Sequence, residues 1–266
     1  MAKKVTELEV VKATIARQEI TKSRTGIATI PGVRTERFAT LIIGTAPLMA
    51  HKFAEKHRAQ ILAKHKGEAS GGREKKDPRA NYEAARYRLS DGSDGVPAGG
   101  VKAAIVKGFS KESGVPQTKA KGAIRIAADD PTTNLVRIIG PMNAKAAEEV
   151  NQANSWPNMN ESIVRNESGV VDVRHRPEYF PWAMRLDVEY LPSVCSMAQA
   201  LQAISIAGFV EGLCEWRPGS KNSLSGSLGT WRLADANEVA RFEEGNLFDP
   251  PPAVAAAKKN GRRKAA

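Results

Sequence analysis

The segment WAMRLDVEY, residues 182–190, alternates between large apolar side chains and small or charged ones. The apolar positions, from Trp182 to Tyr190, recur at every second residue. Because an extended chain places alternate side chains on opposite faces, all the apolar side chains of this segment share one face. The alternation therefore predicts a β-strand that is buried on one face and more exposed on the other.

A helix is predicted directly after this strand, over residues 196–207. Ser196 is a suitable N-cap, and Gln199, three residues later, completes a capping box. Gly208 is a suitable C-cap, because glycine adopts the left-handed backbone conformation that often ends a helix. The apolar residues that come next predict a further strand at 210–216.

Six predicted elements follow one another in the order β, α, β, β, α, β. They are residues 39–43, 99–110, 123–127, 182–190, 196–207 and 210–216. This order is that of the split βαβ, or ferredoxin-like, arrangement. The predicted fold class is therefore α+β, with a modified ferredoxin-like core of the RRM or RAMP type, long insertions and basic disordered termini.

The other segments predict how the chain is organised around this core. Residues 1–38 have weak periodicity and many basic residues, which indicates a basic N-terminal arm. Residues 39–248 form the predicted domain, in which residues 66–80, rich in glycine, serine and charge, are expected to be a mobile loop. Residues 249–266 begin with prolines and end in basic residues, which predicts a disordered basic tail.

Four further predictions concern the insertions. Residues 52–65 are predicted to be helical, and residues 114–122 to form a loop. Residues 141–168 are predicted to contain a short helix at 144–151 followed by a long loop. Residues 217–229, rich in glycine and serine, are predicted to form a loop after the last strand.

Positive charge is concentrated in four parts of the chain, whose formal net charge is +11. Residues 1–38, 51–88, 98–125 and 251–266 carry net charges of +4, +6, +5 and +5, or +20 together. The rest of the chain therefore has a net charge of −9. This asymmetry favours a polyanionic partner, and we expect nucleic acid. A solvated lysine-rich surface is the alternative interpretation.

The composition disfavours several other classes of protein. No apolar segment reaches the roughly 18 residues of a membrane-spanning helix, and the N-terminus carries charges where a secretory signal is apolar. Cys195 and Cys214 do not have metal-site spacing, and no P-loop, dinucleotide or zinc-hydrolase motif occurs. We therefore expect a cytoplasmic protein with no cofactor, no metal, no membrane partner and no small-molecule substrate.

Two patches combine aromatic and basic residues, a combination that holds single strands by base stacking and phosphate contacts. One spans residues 174–182, and the other comprises Trp216–Arg217 with Trp231–Arg232. We expect Tyr179 and Phe180 to be exposed and to stack on bases. Packing in the core is the alternative for the aromatic residues.

Basic residues complete the predicted interface. The loop 217–229 contains Arg217 and Lys221, and its glycines would allow the backbone to approach a phosphate closely. Lysines around the predicted helix 99–110 form a second positive surface. The predicted nucleic-acid-binding residues are Lys102, Lys107, Lys119, Lys121, Arg174, Arg176, Tyr179, Phe180, Arg217 and Lys221.

Histidine is the residue to consider if the chain cleaves nucleic acid, because it is the usual general acid or base near neutral pH. His51 directly follows the first predicted strand and is the best candidate, with His175 as the other. The sequence has no nucleophile, zinc-protease or paired-carboxylate signature. We therefore predict no catalytic residue and expect a binding protein rather than an enzyme.

Three stretches resemble a family of phage-encoded proteins found near replication and recombination genes. They are APLMAHKFAEKHRAQIL (46–62), VRHRPEYFPWAMRLDVEY (173–190) and AGFVEGLCEWRPGSKNSLSGSLGTW (207–231). The βαββαβ order and the Gly-rich loop are also similar to the RAMP superfamily, which forms the RNA-binding backbones of CRISPR effector complexes. That resemblance implies polymerisation along a strand. RAMP proteins usually place the Gly-rich loop before the last core strand, whereas here it follows residues 210–216.

These observations support three functional hypotheses. The first is a phage protein that binds single-stranded nucleic acid, DNA rather than RNA, and assembles along the strand largely independently of sequence. The second is a metal-independent, RAMP-like endoribonuclease. The third is a virion or assembly protein whose basic arms neutralise packaged genome.

Overall fold

The strand predicted at residues 182–190 is central to a four-stranded antiparallel sheet in the computed structural model. The structure describes residues 21–22, 28–29, 32–53, 55–67, 77–112, 114–165, 169, 171–220 and 226–249. Over these residues the architecture is mixed α+β with several antiparallel sheets. The predicted α+β class is confirmed. Most of the predicted arm and tail, and the centre of the predicted loop 66–80, lie outside the described residues.

The described strands and helices are numbered in chain order. The strands are β1 (Thr21–Lys22), β2 (Ala28–Thr29), β3 (Glu36–Gly44), β4 (Leu48–Met49), β5 (Gly95–Pro97), β6 (Ile124–Ile126), β7 (Leu135–Arg137), β8 (Asn158–Arg165), β9 (Val171–Tyr179), β10 (Ala183–Tyr190) and β11 (Trp231–Leu233). The helices are α1 (Glu55–His65), α2 (Pro78–Ala84), α3 (Ala98–Glu112), α4 (Gln117–Ala123), α5 (Met197–Val210) and α6 (Ala236–Glu243).

The main sheet has the strand order β11–β3–β10–β6, and all neighbouring strands are antiparallel. The central strands β3 and β10 pair from Ala183 opposite Ile43 to Tyr190 opposite Glu36. β6 and β11 are short edge strands of three residues each. Because β3 begins at Glu36, the last residues of the expected N-terminal arm belong to the sheet.

Helices α3 and α5 pack against each other and cover one face of the main sheet. Met184, Leu186 and Val188 of β10 are buried in this core, whereas Arg185 is exposed, so the predicted alternation is confirmed. Burying a side chain of this size contributes about 1.5–3 kcal/mol. The strand therefore contributes strongly to the core.

The opposite face of the main sheet is partly covered by α6 and the residues after it. Half-buried Val239 and Phe242 pack there with Leu41 and with Ala183, which is fully buried. The alternation predicted a more exposed position for Ala183. Its burial depends on a C-terminal helix that the sequence did not predict.

A smaller sheet, β4–β9–β8, lies beside the main sheet. β8 and β9 form a hairpin that runs from Asn158 opposite Glu178 to Arg165 opposite Val171. The short strand β4 joins this hairpin, with Leu48 opposite Tyr179. A two-stranded sheet, β5–β7, completes this part of the fold.

The end of α5 differs from the prediction. The capping box at the start of the helix is confirmed, but the helix continues through Gly208 to Val210. Gly208 is needed inside the helix, because a Cβ atom there would collide with the backbone and ring of Trp231. The strand predicted at residues 210–216 is also wrong, because the chain turns there and β11 is the last core strand.

Three predictions for the insertions are wrong as well. Residues 117–122 of the expected loop 114–122 belong to helix α4. No helix forms at 144–151, and part of the expected long loop is strand β8. These segments have weak periodicity, so their structure depends on what they pack against rather than on local pattern.

Candidate nucleic-acid interface

The α5–β11 loop carries the candidate site. It folds back on itself, with the Leu228 N–H donating to the Trp216 carbonyl at 3.0 Å. It is also attached to β4, because the Glu215 N–H donates to the Met49 carbonyl at 3.1 Å. A Cβ atom on Gly226 would lie 2.5 Å from the carbonyl oxygens of residues 216 and 217. This glycine therefore allows the loop to pack against itself. That packing accounts for the glycine without the predicted approach of the backbone to a phosphate.

A cleft of about 390 Å³ lies between this loop and α3. We call it the His51 cleft. Its ionisable lining includes His51, Lys107, Glu211, Glu215 and Arg217. Four of these five residues come from α3 and the α5–β11 loop, so the packing that places α3 beside α5 also forms the cleft.

Backbone hydrogen bonds on both sides hold His51 at the cleft. The Ala50 N–H donates to the Pro177 carbonyl at 3.2 Å, and the Lys52 N–H donates to the Ala85 carbonyl at 2.8 Å. His51 follows β4 by two residues, and its side chain is one-third exposed. The imidazole is thus positioned by the fold but remains accessible.

Glu215 connects His51 to two arginines of β9. Its Oε1 lies 2.9 Å from Nδ1 of His51 and 3.8 Å from Nη1 of Arg174. Its Oε2 accepts a hydrogen bond from Nη1 of Arg176. One carboxylate therefore joins three segments that are far apart in the sequence.

The pKa of His51 is lowered to about 4, first by burial and then by the positive charges of Arg174 and Arg176. The negative charge of Glu215 opposes this effect, but both arginines already engage it. The imidazole is consequently neutral at neutral pH. When its Nδ1–H donates to Glu215, Nε2 retains the lone pair that can accept a proton.

The remaining ionisable groups of the cleft are also paired. Lys107 Nζ lies 2.8 Å from Glu211 Oε2, and Nη1 of Arg217 donates to the Cys214 carbonyl at 2.7 Å. With the two arginines of β9, four basic and two acidic side chains surround the cleft, which gives a local net charge of +2. This excess is modest and favours anionic groups.

Trp216 lines a second cavity of about 470 Å³, which we call the Trp216 groove. The groove is lined by Pro47, Met49, Asn160, Glu178, Trp216, Gly226, Ser227 and Leu228. The Arg176 guanidinium lies over the indole, 4.5 Å from its centroid, and 37% of Trp216 remains exposed. The backbone of Trp216 is left-handed, with φ at 53°.

The predicted binding residues are only partly brought together. Those at or beside the His51 cleft are Lys107, Arg174, Arg176 and Arg217. Lys102 lies outside the cleft lining, Lys119 and Lys121 are exposed on α4, and Phe180 is exposed after β9. Lys221 lies outside the described residues.

The expected exposure of Tyr179 is wrong. Its side chain is fully buried and packs edge-on against Trp156, with ring centroids 5.4 Å apart. Stacking on a base needs an accessible ring face, which Tyr179 lacks. The cause is that β9 extends to Tyr179 and pairs with β4 there, so the residue belongs to a sheet rather than to a loop.

Arg176 also differs from an exposed phosphate-binding residue. Its side chain is 1% exposed because Glu215 binds it and Trp216 covers it. The pKa of Arg176 is lowered to about 10, by burial first and then by Arg174, so the group stays charged at neutral pH. Arg176 therefore holds Glu215 and Trp216 in position rather than contacting a phosphate directly.

Glu215 and Trp216 are the site residues that the predicted set omitted. The sequence did place Trp216 beside Arg217 in an aromatic and basic patch, which was the available signal. Nothing local marked Glu215, because its partners are about 40 and 160 residues away in the chain. Only the tertiary structure shows these contacts.

Comparisons with known proteins give no assignment: no family model and no curated protein sequence matches the chain. Among the described residues, no group of three or more His, Cys, Asp or Glu side chains could hold a metal ion. None of the helices in that part of the chain is long and apolar enough to cross a membrane.

Proposed function

We propose that this protein binds single-stranded nucleic acid, DNA rather than RNA, through its phosphates at the His51 cleft. The convergence of Lys107, Arg174 and Arg217 around one cleft with excess positive charge carries the proposal. Phosphate neutralisation requires cations within reach of one backbone path. Trp216, on the other side of the same loop segment, adds an aromatic surface of the kind on which unpaired bases stack.

Positive charge continues from the cleft along neighbouring helices. Lys111 is exposed one turn after Lys107 on α3. Helix α4, which packs on α3, adds exposed Lys119 and Lys121. A nucleic-acid strand that leaves the cleft along α3 would therefore contact further positively charged side chains.

The topology of the main sheet supports a ferredoxin-like core as part of this proposal. Elements β3, α3, β6, β10, α5 and β11 follow the βαββαβ order, and their strands have the spatial order 4-1-3-2. Because β11 is the last strand, the Gly-rich loop precedes it, as it does in the RAMP proteins that the sequence resembles. This agreement supports side-by-side assembly of copies of this protein along a nucleic-acid strand.

Affinity for a fluorescent oligonucleotide, measured as salt is raised from about 50 to 200 mM, tests the proposal. We expect the logarithm of the binding constant to fall linearly with the logarithm of salt, by about 0.7 for each contacted phosphate of a single strand. A flat response would refute phosphate binding. Electron microscopy with and without the oligonucleotide tests assembly, and filaments or rings are expected only with it.

Metal-independent cleavage of RNA is a second candidate function, which the His51–Glu215 pair favours. Nε2 of a neutral His51 could accept the proton of a ribose 2′-hydroxyl as O2′ bonds to phosphorus. The P–O5′ bond would break, and the leaving oxygen would take that proton, which gives a 2′,3′-cyclic phosphate and a 5′-hydroxyl. A base with a pKa of about 4 is weak, so slow cleavage is expected. His175 is buried and less suited to this role.

Labelled RNA incubated with the protein in EDTA tests this second function. Cleavage that is lost in His51→Ala and retained in His175→Ala would support it. No cleavage by the wild-type protein, or equal cleavage by His51→Ala, would eliminate it and leave the binding proposal standing.

A further inference from the structure

We propose that the Trp216 groove is a pocket for one unpaired nucleobase with an exocyclic amino group, with cytosine preferred over thymine or uracil. The inference rests on the proposed function, because it assigns a base-binding site to the strand whose phosphates the His51 cleft would hold. It adds a preference among bases to a contact that is otherwise independent of sequence.

The indole of Trp216 provides the stacking surface. Arg176 lies over the ring at 4.5 Å from the centroid, while 37% of the residue remains exposed. The loop hydrogen bond from Leu228 to the Trp216 carbonyl holds the left-handed backbone in place. The ring is therefore supported before a ligand arrives, which reduces the entropy that binding would cost.

The groove has the size and lining of a small-ligand site. Its volume of about 470 Å³ lies within the range of about 300–1,000 Å³ that such pockets occupy. Pro47, Met49 and Leu228 supply apolar surface beside the indole. A flat aromatic ring suits this lining better than a charged phosphate does.

The polar side of the groove presents a hydrogen-bond acceptor. Nδ2 of Asn160 donates to Oε2 of Glu178 at 2.5 Å, and Oδ1 of Asn160 accepts from the Ser162 hydroxyl. These contacts orient the Asn160 amide, and an ionised Glu178 has further acceptor sites but no donor. The N4 amino group of cytosine can donate to such a carboxylate, whereas thymine and uracil place a carbonyl oxygen there.

The segment 215–217 separates the two cavities. Glu215 and Arg217 line the His51 cleft, and Trp216 between them lines the groove. A nucleotide at this segment could place its phosphate near Arg217 and its base on Trp216. Both contacts would then be made with the same nucleic-acid strand.

Binding of short single-stranded oligo-dC and oligo-dT by the full chain tests the inference. We expect wild-type protein to bind oligo-dC about tenfold more tightly, the effect of one hydrogen bond to a carboxylate. Trp216→Leu retains an apolar cover over Arg176 but lacks a π-face, so it should weaken oligo-dC binding by about 5- to 150-fold. Trp216→Phe should retain most of the affinity, and Phe209→Ala, at an exposed aromatic residue outside both cavities, should bind as wild type does.

A second variant tests the base preference without altering the stacking ring. In Glu178→Gln, the amide oxygen can keep the bond from Asn160 while its N–H groups face the groove. The preference for oligo-dC should then disappear or reverse, with thermal unfolding unchanged. Equal wild-type affinity for both oligonucleotides, or an unaffected preference in Glu178→Gln, would overturn the base pocket while phosphate binding stands. Failure of wild-type protein to bind either oligonucleotide would overturn the proposed function itself.

Discussion

Arg86 and Arg176 are both buried and both pair with a carboxylate, but their surroundings differ. Arg86 donates Nε and Nη2 to the two oxygens of Asp94 at 2.9 and 2.5 Å, and its Nη1 lies 3.4 Å from Glu83. The Asp94 side chain is only 4% exposed. Burial alone would lower the pKa of Arg86, but hydrogen bonds and the charge of Asp94 raise it above its ordinary value.

Arg176 is less completely satisfied. Its Nε and Nη2 are buried and have no hydrogen-bond partner among the described residues. Its carboxylate partner, Glu215, is 28% exposed and also engages His51 and Arg174. The pKa of Arg176 is lowered as a result of burial, whereas that of Arg86 is raised.

This difference separates a structural ion pair from a candidate functional one. The Arg86–Asp94 pair uses both oxygens of the carboxylate and lines neither cavity. The Arg176–Glu215 pair leaves two buried Arg176 donors without a partner among the described residues, and its Glu215 lines the His51 cleft. Unsatisfied buried groups are costly, so their presence beside cavities favours a functional role.

Removing the charge of Asp94 should have one of the largest effects on stability. Asp94→Asn removes the buried counter-charge of Arg86 and leaves only the more exposed Glu83 near the guanidinium, and we expect the free energy of unfolding to fall by about 3–5 kcal/mol. Urea unfolding measures this loss. Asp91→Asn, in the exposed pair with Arg137, should change stability little, and equal losses in the two variants would contradict the structural role of Asp94.

Acidification should weaken the fold through His51. An unfolded histidine binds its proton near pH 6.5, whereas folded His51 does so only near pH 4. Between these values the unfolded state binds more protons, so stability present above pH 6.5 is lost as the pH falls. We expect a loss of about 1–2 kcal/mol, below the full linkage value because solvent screens a side chain that is one-third exposed.

Urea unfolding of wild-type protein and His51→Asn across this pH range measures that contribution. Asn can still donate to Glu215 but does not titrate, so the difference between the two curves isolates His51 from the carboxylates. Parallel curves would show that His51 has an ordinary pKa in the folded protein.

Matched arginine replacements test the comparison directly. Arg176→Met should change the free energy of unfolding by less than about 1 kcal/mol, because partly exposed Glu215 retains His51 and Arg174 as partners. Arg86→Met should cost about 3–5 kcal/mol, because it leaves Asp94 charged and buried. Similar losses, measured by urea unfolding, would mean that the two pairs have the same structural role.

Removing one cation from the His51 cleft should have the smallest effect. Arg217→Gln keeps a donor for the Cys214 carbonyl but removes the charge, so the salt dependence of oligonucleotide binding should fall by about 0.7. Arg88→Gln is the matched control, since Arg88 pairs with Glu83 near the structural ion pair. Equal slopes for wild type and Arg217→Gln would exclude a phosphate contact by Arg217.

Local patterns in the sequence predicted the central elements well. The alternation in β10 and the capping box of α5 are confirmed because each depends on residues within a few positions of one another. The apolar residues after Gly208 were assigned wrongly, because similar residues occur in helix ends and in short strands. Strand β8 was missed, since its pairing with β9 is not encoded in its own periodicity.

The same division between local and long-range information applies to the candidate site. The sequence by itself identified Arg174, Arg217 and Lys107 as basic residues near aromatic or apolar segments. It also marked Trp216 as an aromatic residue beside Arg217, but it placed Trp216 in a strand. Only the tertiary structure buried Tyr179 and Arg176, joined His51 to Glu215 and formed the two cavities. The physical reason is range: capping and alternation act between near neighbours, whereas burial and ion pairing depend on segments that folding brings together from distant parts of the chain.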